Sequence, residues 1–118
     1  KIDEKLLEYA LNSAQLNELN HKLSKSTNPS VGENGVRLSG GQRQRIGIAR
    51  ALYRNPSILL MDEATNSLDK HTEDKILDVI ANLNKQKTII IISHDKNSLR
   101  YCDRIISLNN GYIEEINL

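Results

Sequence analysis

Apolar positions along the chain change their period near Pro56, and that change separates a helical region from one of alternating extended and helical stretches. From Asp3 to about Leu23, the residues Leu6, Tyr9, Ala10, Leu16, Leu19 and Leu23 recur at helical spacing, which predicts one amphipathic helix. Ser24 to Val36, rich in Ser, Asn, Pro and Gly, reads as a connecting loop. A second helix is expected from about Gly40 to Arg54. It carries Ile46, Ala49, Leu52 and Tyr53 on one face and Arg43, Arg50 and Arg54 on another. Asn55-Pro56 ends it, because proline cannot continue the ladder and biases its predecessor away from helical dihedrals.

Beyond Pro56 the run Ser57-Ile58-Leu59-Leu60-Met61 has no polar alternation, as in a strand buried on both faces of a parallel sheet. Lys70 to Leu83 is expected to be a helix with Ile76, Leu77, Val79 and Ile80 in its apolar set. Thr88-Ile89-Ile90-Ile91-Ile92 is a second unbroken, β-branched strand that calls for cover on both faces. Asp95 to Tyr101 reads as a short helix. Arg104 to Leu108 and Tyr112 to Ile116, flanking Asn110-Gly111, read as a hairpin. Strands alternating with helices imply a parallel α/β layer.

Candidate chemistry falls at the joints between these elements. In Leu38-Ser39-Gly40-Gly41-Gln42, two glycines and an N-capping serine open a helix, where first-turn N–H groups and the helix dipole can hold an anion. Taken alone, the same residues also describe an ordinary capped helix. Asp62-Glu63 closes the first apolar strand at the edge where open α/β sheets bind ligands. One carboxylate could hold a metal ion through water and the other activate a nucleophile. A solvated acidic pair is the plainer alternative.

These segments, followed by Asn66-Ser67-Leu68-Asp69 and, after the second apolar strand, by Ser93-His94, come in a fixed order. In that order the chain resembles the nucleotide-binding domain of ATP-binding cassette (ABC) transporters. Leu38 to Gln42 matches the signature motif, Ile58 to Glu63 the Walker B strand, Asn66 to Asp69 the D-loop, and His94 the switch histidine. Val31-Gly32-Glu33-Asn34-Gly35 resembles the exporter loop that touches the membrane-spanning part. Departures are Asn66 and Ser67 where many exporters have serine and alanine, and Ser30 and Asn34 in place of glutamate and arginine. No Gly-x-x-x-x-Gly-Lys-Ser/Thr phosphate loop occurs, nor an assignable glutamine loop. Both are expected upstream of Lys1, and the only methionine is Met61.

The resemblance therefore implies an α/β fold, part of a P-loop NTPase (RecA-like) parallel sheet core plus part of the helical signature subdomain. Residues 1–55 would belong to the helical subdomain and 56–118 to the C-terminal half of the ATPase core. It implies ATP sandwiched between two such domains, with Mg²⁺. Ser39, Gly40 and Gly41 would grip the γ-phosphate of the opposite subunit's nucleotide, and Gln42 would support that turn. Asp62 would hold Mg²⁺ through water, Glu63 would act as general base, and His94 would bond the γ-phosphate. Asp69 would touch the other subunit. Implied partners are a second ATP-binding domain and a membrane-spanning domain, with the chain at the cytoplasmic face of a membrane.

Composition narrows the alternatives. A net charge of +1 and an aromatic content of 3% offer neither the field nor the stacking platforms expected of a nucleic-acid binder. The one cysteine, Cys102, forms no internal disulfide and is expected to be a packed apolar group. His21 and His71, in polar helical contexts, are expected to face solvent. Two other functions remain: a non-transport ABC ATPase, such as a DNA-repair or chromosome-clamp head or a translation factor, and a non-catalytic regulatory module. Gln42 to Arg45 and the Val31 loop favour transport, and Glu63 argues against a regulatory module. Without a phosphate loop the chain alone is expected to bind ATP weakly and not to hydrolyse it. Missing the first half, the Ile89 to Ile92 strand is expected to lack cover and to leave an edge that promotes self-association.

Overall fold

A computed structural model describes residues 2–25, 37–83 and 86–116. The Val31–Gly35 loop and the side chain of Leu23 lie outside the described residues. The first expected helix is two helices, α1 (Glu4–Ser13) and α2 (Asn17–Ser24). Asp3 caps α1 by accepting the Leu6 N–H at 3.1 Å. The break comes at Gln15, whose φ of 56° is left-handed. The Leu16 N–H reaches back to the Leu11 carbonyl at 2.9 Å, a wide turn that closes α1. This kink lets Ala10, Ala14, Leu16 and Leu19 all enter the core, which one straight helix would not achieve, and it leaves Tyr9 exposed.

The helix α3 (Gly40–Tyr53) packs against α1, burying Ile48, Ala49 and Leu52 while Arg43, Arg50 and Arg54 stay outside. After the Pro56 stop comes β1 (Ile58–Asp62), which pairs in parallel with β2 (Thr88–Ile92). Their register sets Ile58 against Thr88 and Asp62 against Ile92. The crossover between them contains α4 (Lys70–Leu83), whose Ile76, Leu77 and Ile80 are buried. Among the described residues the core joins α1, α3, α4 and one face of the sheet, through Leu59 and Met61.

The strands are not buried on both faces. Ile58 and Leu60 are 62% and 61% exposed, and Ile90 and Ile92 are each 47% exposed. The side chains of a strand alternate between faces, and α3 and α4 cover only the one bearing Leu59 and Met61. The unbroken apolar runs are therefore written for cover that the described residues supply on one side only.

The short helix α5 (Lys96–Leu99) is capped by Asp95 and shorter than the expected 95–101 span. The hairpin strands β3 (Ile105–Asn109) and β4 (Tyr112–Ile116) are antiparallel. Asn110 and Gly111 between them have φ of 50° and 83°, as a tight two-residue turn requires. Cys102 is half-buried, and burial pushes its thiol pKa up, assisted by the nearby Asp103 charge.

Candidate functional site at the carboxyl edge of the sheet

Parallel pairing brings the C-terminal ends of β1 and β2 to one edge. The Glu63 N–H donates to the Ile92 carbonyl at 3.0 Å, extending the ladder by one bond. Glu63 then takes φ of 46°, unusual for a residue with a side chain, and the chain turns sharply away from the sheet. The same edge carries Ser93 and His94. As a result His94 Nε2 lies 3.0 Å from Glu63 Oε1, although the two residues are 31 positions apart. They line a cleft of about 560 Å³ together with Asn66, Lys70, Glu73 and Asp95.

The signature turn is built as its residue types require. Ser39 Oγ accepts the Gln42 N–H at 3.1 Å, while Gln42 Oε1 accepts the Ser39 N–H at 2.8 Å. This reciprocal capping box fixes the first turn of α3 and gives Gln42 a geometric task. α-Helical geometry leaves the N–H groups of Gly40 and Gly41 without intrahelical acceptors. A Cβ on Gly41 would come within 3.2 Å of the Ser67 carbonyl oxygen, so a side chain there would force a small shift where the helix start presses on the following loop. A Cβ on Gly40 would meet nothing closer than 3.9 Å, which leaves room for a ligand to approach that backbone.

Asp69 caps α4. Its Oδ2 accepts the Thr72 N–H at 3.0 Å and its Oδ1 the Thr72 hydroxyl at 2.8 Å. These bonds, the backbone one first, hold its carboxyl below the usual carboxylate range. Asp62 is exposed at the end of β1. Among the described residues no group of three or more His, Cys, Asp or Glu side chains could hold a metal ion. An all-protein cage is therefore not offered. A single carboxylate fits a hydrated Mg²⁺ that completes its shell with water and phosphate oxygens.

Several residues to which the sequence reading gave no role at the site hold this edge together. Gln44 on α3 accepts the Ser67 N–H at 2.9 Å and donates to the Asn66 side chain. The buried Glu73 accepts from Thr65 Oγ1 at 2.8 Å and from Lys70 Nζ at 3.0 Å, and this bond to Glu73 is the main reason the Lys70 pKa is raised. Lys70 Nζ also lies 3.7 Å from Asp95 Oδ2, spanning the loops that carry Glu63 and His94. A signal for both was present: Gln44 shares a helical face with Gly41 and Ile48, and Glu73 shares one with Ile76 and Leu77. Polar groups on an apolar face need partners.

A parallel sheet edge with an acidic strand end, a facing histidine and a capped diglycine helix places the chain among α/β proteins whose ligands bind at the carboxyl ends of the strands. Residues 3–66 match the ABC transporter family, and the chain belongs to that family. It is 43% identical over 109 residues to an ATP-dependent lipid A-core flippase of Colwellia psychrerythraea, covering 92% of this chain and 19% of the relative. It is 45% identical over 112 residues to the alpha-hemolysin translocation ATP-binding protein HlyB of Escherichia coli O157:H7, covering 92% and 16%. Its fold matches a bacterial Atm1-family ABC exporter solved with ATP bound, at a TM-score of 0.78 and 34% identity, covering 93% of this chain and 19% of that one. The α/β fold is thus that of part of an exporter's ATP-binding domain. The chain spans about a fifth of the length of these relatives. No helix among the described residues is long and apolar enough to cross a membrane.

Proposed function

We propose that this chain is the signature and Walker B part of an exporter's ATP-binding domain, contributing to MgATP hydrolysis at an interface between two such domains. Residues 1–55 form part of its helical subdomain and 56–118 part of its ATPase core. The observation that carries this reading is the 3.0 Å approach of His94 Nε2 to Glu63 Oε1 at the sheet edge, next to Asp62. Relatives whose names specify a flippase and a translocation ATP-binding protein support the transport role over a non-transport ATPase. A membrane-spanning domain and a second ATP-binding domain are then the partners, and the chain works at the cytoplasmic face of a membrane.

In this reading Glu63 takes a proton from water as the water oxygen bonds to the γ-phosphorus and the bond from that phosphorus to the bridging oxygen breaks. A positioned base contributes about 10²–10⁴ in rate. His94, an exposed imidazole at the cleft mouth, would exchange its contact with Glu63 for a bond to the γ-phosphate. Ser39 and the N–H groups of Gly40 and Gly41 hold the γ-phosphate of the opposite site. Asp62 would hold Mg²⁺ through water, and the ion would supply charge that neutralises phosphate oxygens. Asp69 faces the other subunit while capping α4.

This division of labour predicts different behaviour for part and whole. A helix N-terminus contributes about 0.3–1 kcal/mol to anion binding, and about 2 kcal/mol when partly buried. Millimolar affinity already needs about 4 kcal/mol. The 118-residue chain alone should therefore show no titratable MgATP binding below millimolar concentration and no phosphate release, whereas the complete protein hydrolyses MgATP. Micromolar binding by the chain alone, measured calorimetrically, would contradict the proposed split of the site.

A further inference from the structure

The side chain of Asn66 reaches the carboxylate of Glu63. Its Nδ2 donates to Glu63 Oε2 at 3.2 Å, while His94 faces the other oxygen, Oε1. The direction of the Asn66 amide is set from a fixed donor. The Ser67 backbone N–H can only donate, and it binds Gln44 Oε1 at 2.9 Å. That places the Gln44 amide nitrogen toward Asn66, where it donates to Oδ1. The Asn66 nitrogen is thereby turned toward Glu63. No alternative flip of either amide satisfies the Ser67 N–H and the carboxylate together.

The anchor of this chain of bonds is rigid. Gln44 lies in the middle of α3, and its Nε2 also lies 3.4 Å from the Glu63 carbonyl oxygen. The loop it holds packs so closely on α3 that Gly41 admits no Cβ without a shift. Glu63 itself is partly exposed, so packing alone does not select its rotamer.

We propose that Asn66, oriented by Gln44, is a positioning residue that holds the Glu63 carboxylate in the rotamer from which it accepts the proton of the attacking water. This rests on the reading of Glu63 as general base. Serine at this position ends one bond earlier, and its hydroxyl can either donate or accept. Asparagine supplies a longer arm with a fixed donor. The arrangement ties the orientation of the base to α3, the same helix that presents Ser39, Gly40 and Gly41.

The test is a double-mutant cycle on ATP hydrolysis by the complete protein, with kcat and KM measured for the unmodified protein, Asn66→Ser, Gln44→Glu and the pair. Gln44→Glu still accepts the Ser67 N–H but offers oxygen to Asn66, so the Asn66 amide reverses and turns its own oxygen on Glu63. Each single change should lower kcat about tenfold, with KM for ATP within about twofold, since orientation and not ground-state binding is lost. The pair should be no more than about twofold slower than Asn66→Ser, because one bond chain has been cut twice. Asn66→Asp, equal in size but lacking the donor, should lower kcat at least as much as Asn66→Ser.

An unchanged kcat in either single variant, or two losses that multiply in the pair, overturns the proposal. Glu63→Gln separates the two levels. Turnover retained by Glu63→Gln overturns the reading of the base and this inference with it. Turnover lost in Glu63→Gln, with multiplying losses in the cycle, overturns the positioning role alone.

Discussion

Gly41 and Gly47 lie on the same helix, six residues apart, and a methyl group added at each would meet different surroundings. At Gly47 an added Cβ has no heavy atom within 4 Å. Replacing glycine by alanine inside a helix gains about 0.5–1 kcal/mol, because the unfolded chain loses freedom it would otherwise surrender on folding. Gly47→Ala should therefore stabilise this chain by that amount and raise its melting midpoint by roughly 4 °C per kcal/mol. At Gly41 the same Cβ lies 3.2 Å from the Ser67 carbonyl oxygen and 3.4 Å from Leu68 Cδ2. Leu68 can swing aside. The Ser67 peptide cannot retreat freely, because its N–H is held by Gln44 on the same helix at 2.9 Å. Loosening that bond costs about 1 kcal/mol, which cancels or exceeds the propensity gain. Gly41→Ala should thus leave stability unchanged or lower it by up to about 0.5 kcal/mol. Thermal unfolding of the two variants side by side is the assay. A Gly41→Ala midpoint raised as far as that of Gly47→Ala would refute the close packing of the signature turn on the loop.

Ile76 is fully buried where α4 meets the sheet, and Ile76→Ala should cost about 2–5 kcal/mol in urea unfolding of the domain. Asp69, whose folded pKa is lowered by its bonds to Thr72, adds stability that is present above its unfolded pKa of about 3.9 and lost as pH falls through the lower folded value. Asp69→Asn should accordingly lower the neutral-pH urea midpoint and flatten its fall below about pH 4. The Cys102 thiol, pushed up by burial, should alkylate at pH 7 more slowly than a free cysteine peptide.

How much was legible in the sequence depended on the range of the interactions involved. Local signals placed α3, α4, β2 and the hairpin almost to the residue, since caps, the Pro56 stop and the Asn110-Gly111 turn act within a few positions. The split of the first helix at Gln15 went unread, because the apolar residues on both sides keep helical spacing and only the packing of Leu16 and Leu19 requires the kink. Unbroken apolar runs led to the expectation of cover on two faces, which the described residues supply on one. They could not show which face α3 and α4 would occupy. At the site, the motif residues were readable one by one. The bonds of Gln44 to Asn66, 22 positions on, and of Asn66 back to Glu63, three positions before it, were not, since they depend on which way each amide turns, which no periodicity records.

The central claim is that Glu63 is the base for ATP hydrolysis at an interface between two domains. Its most direct test is Glu63→Gln in the complete protein, with phosphate release and the ATP-dependent association of two ATP-binding domains measured on the same sample. Turnover reduced by at least about 10²-fold, with a stable MgATP-bound dimer, is the predicted result. Hydrolysis at the unmodified rate, or loss of the dimer together with loss of turnover, would contradict it.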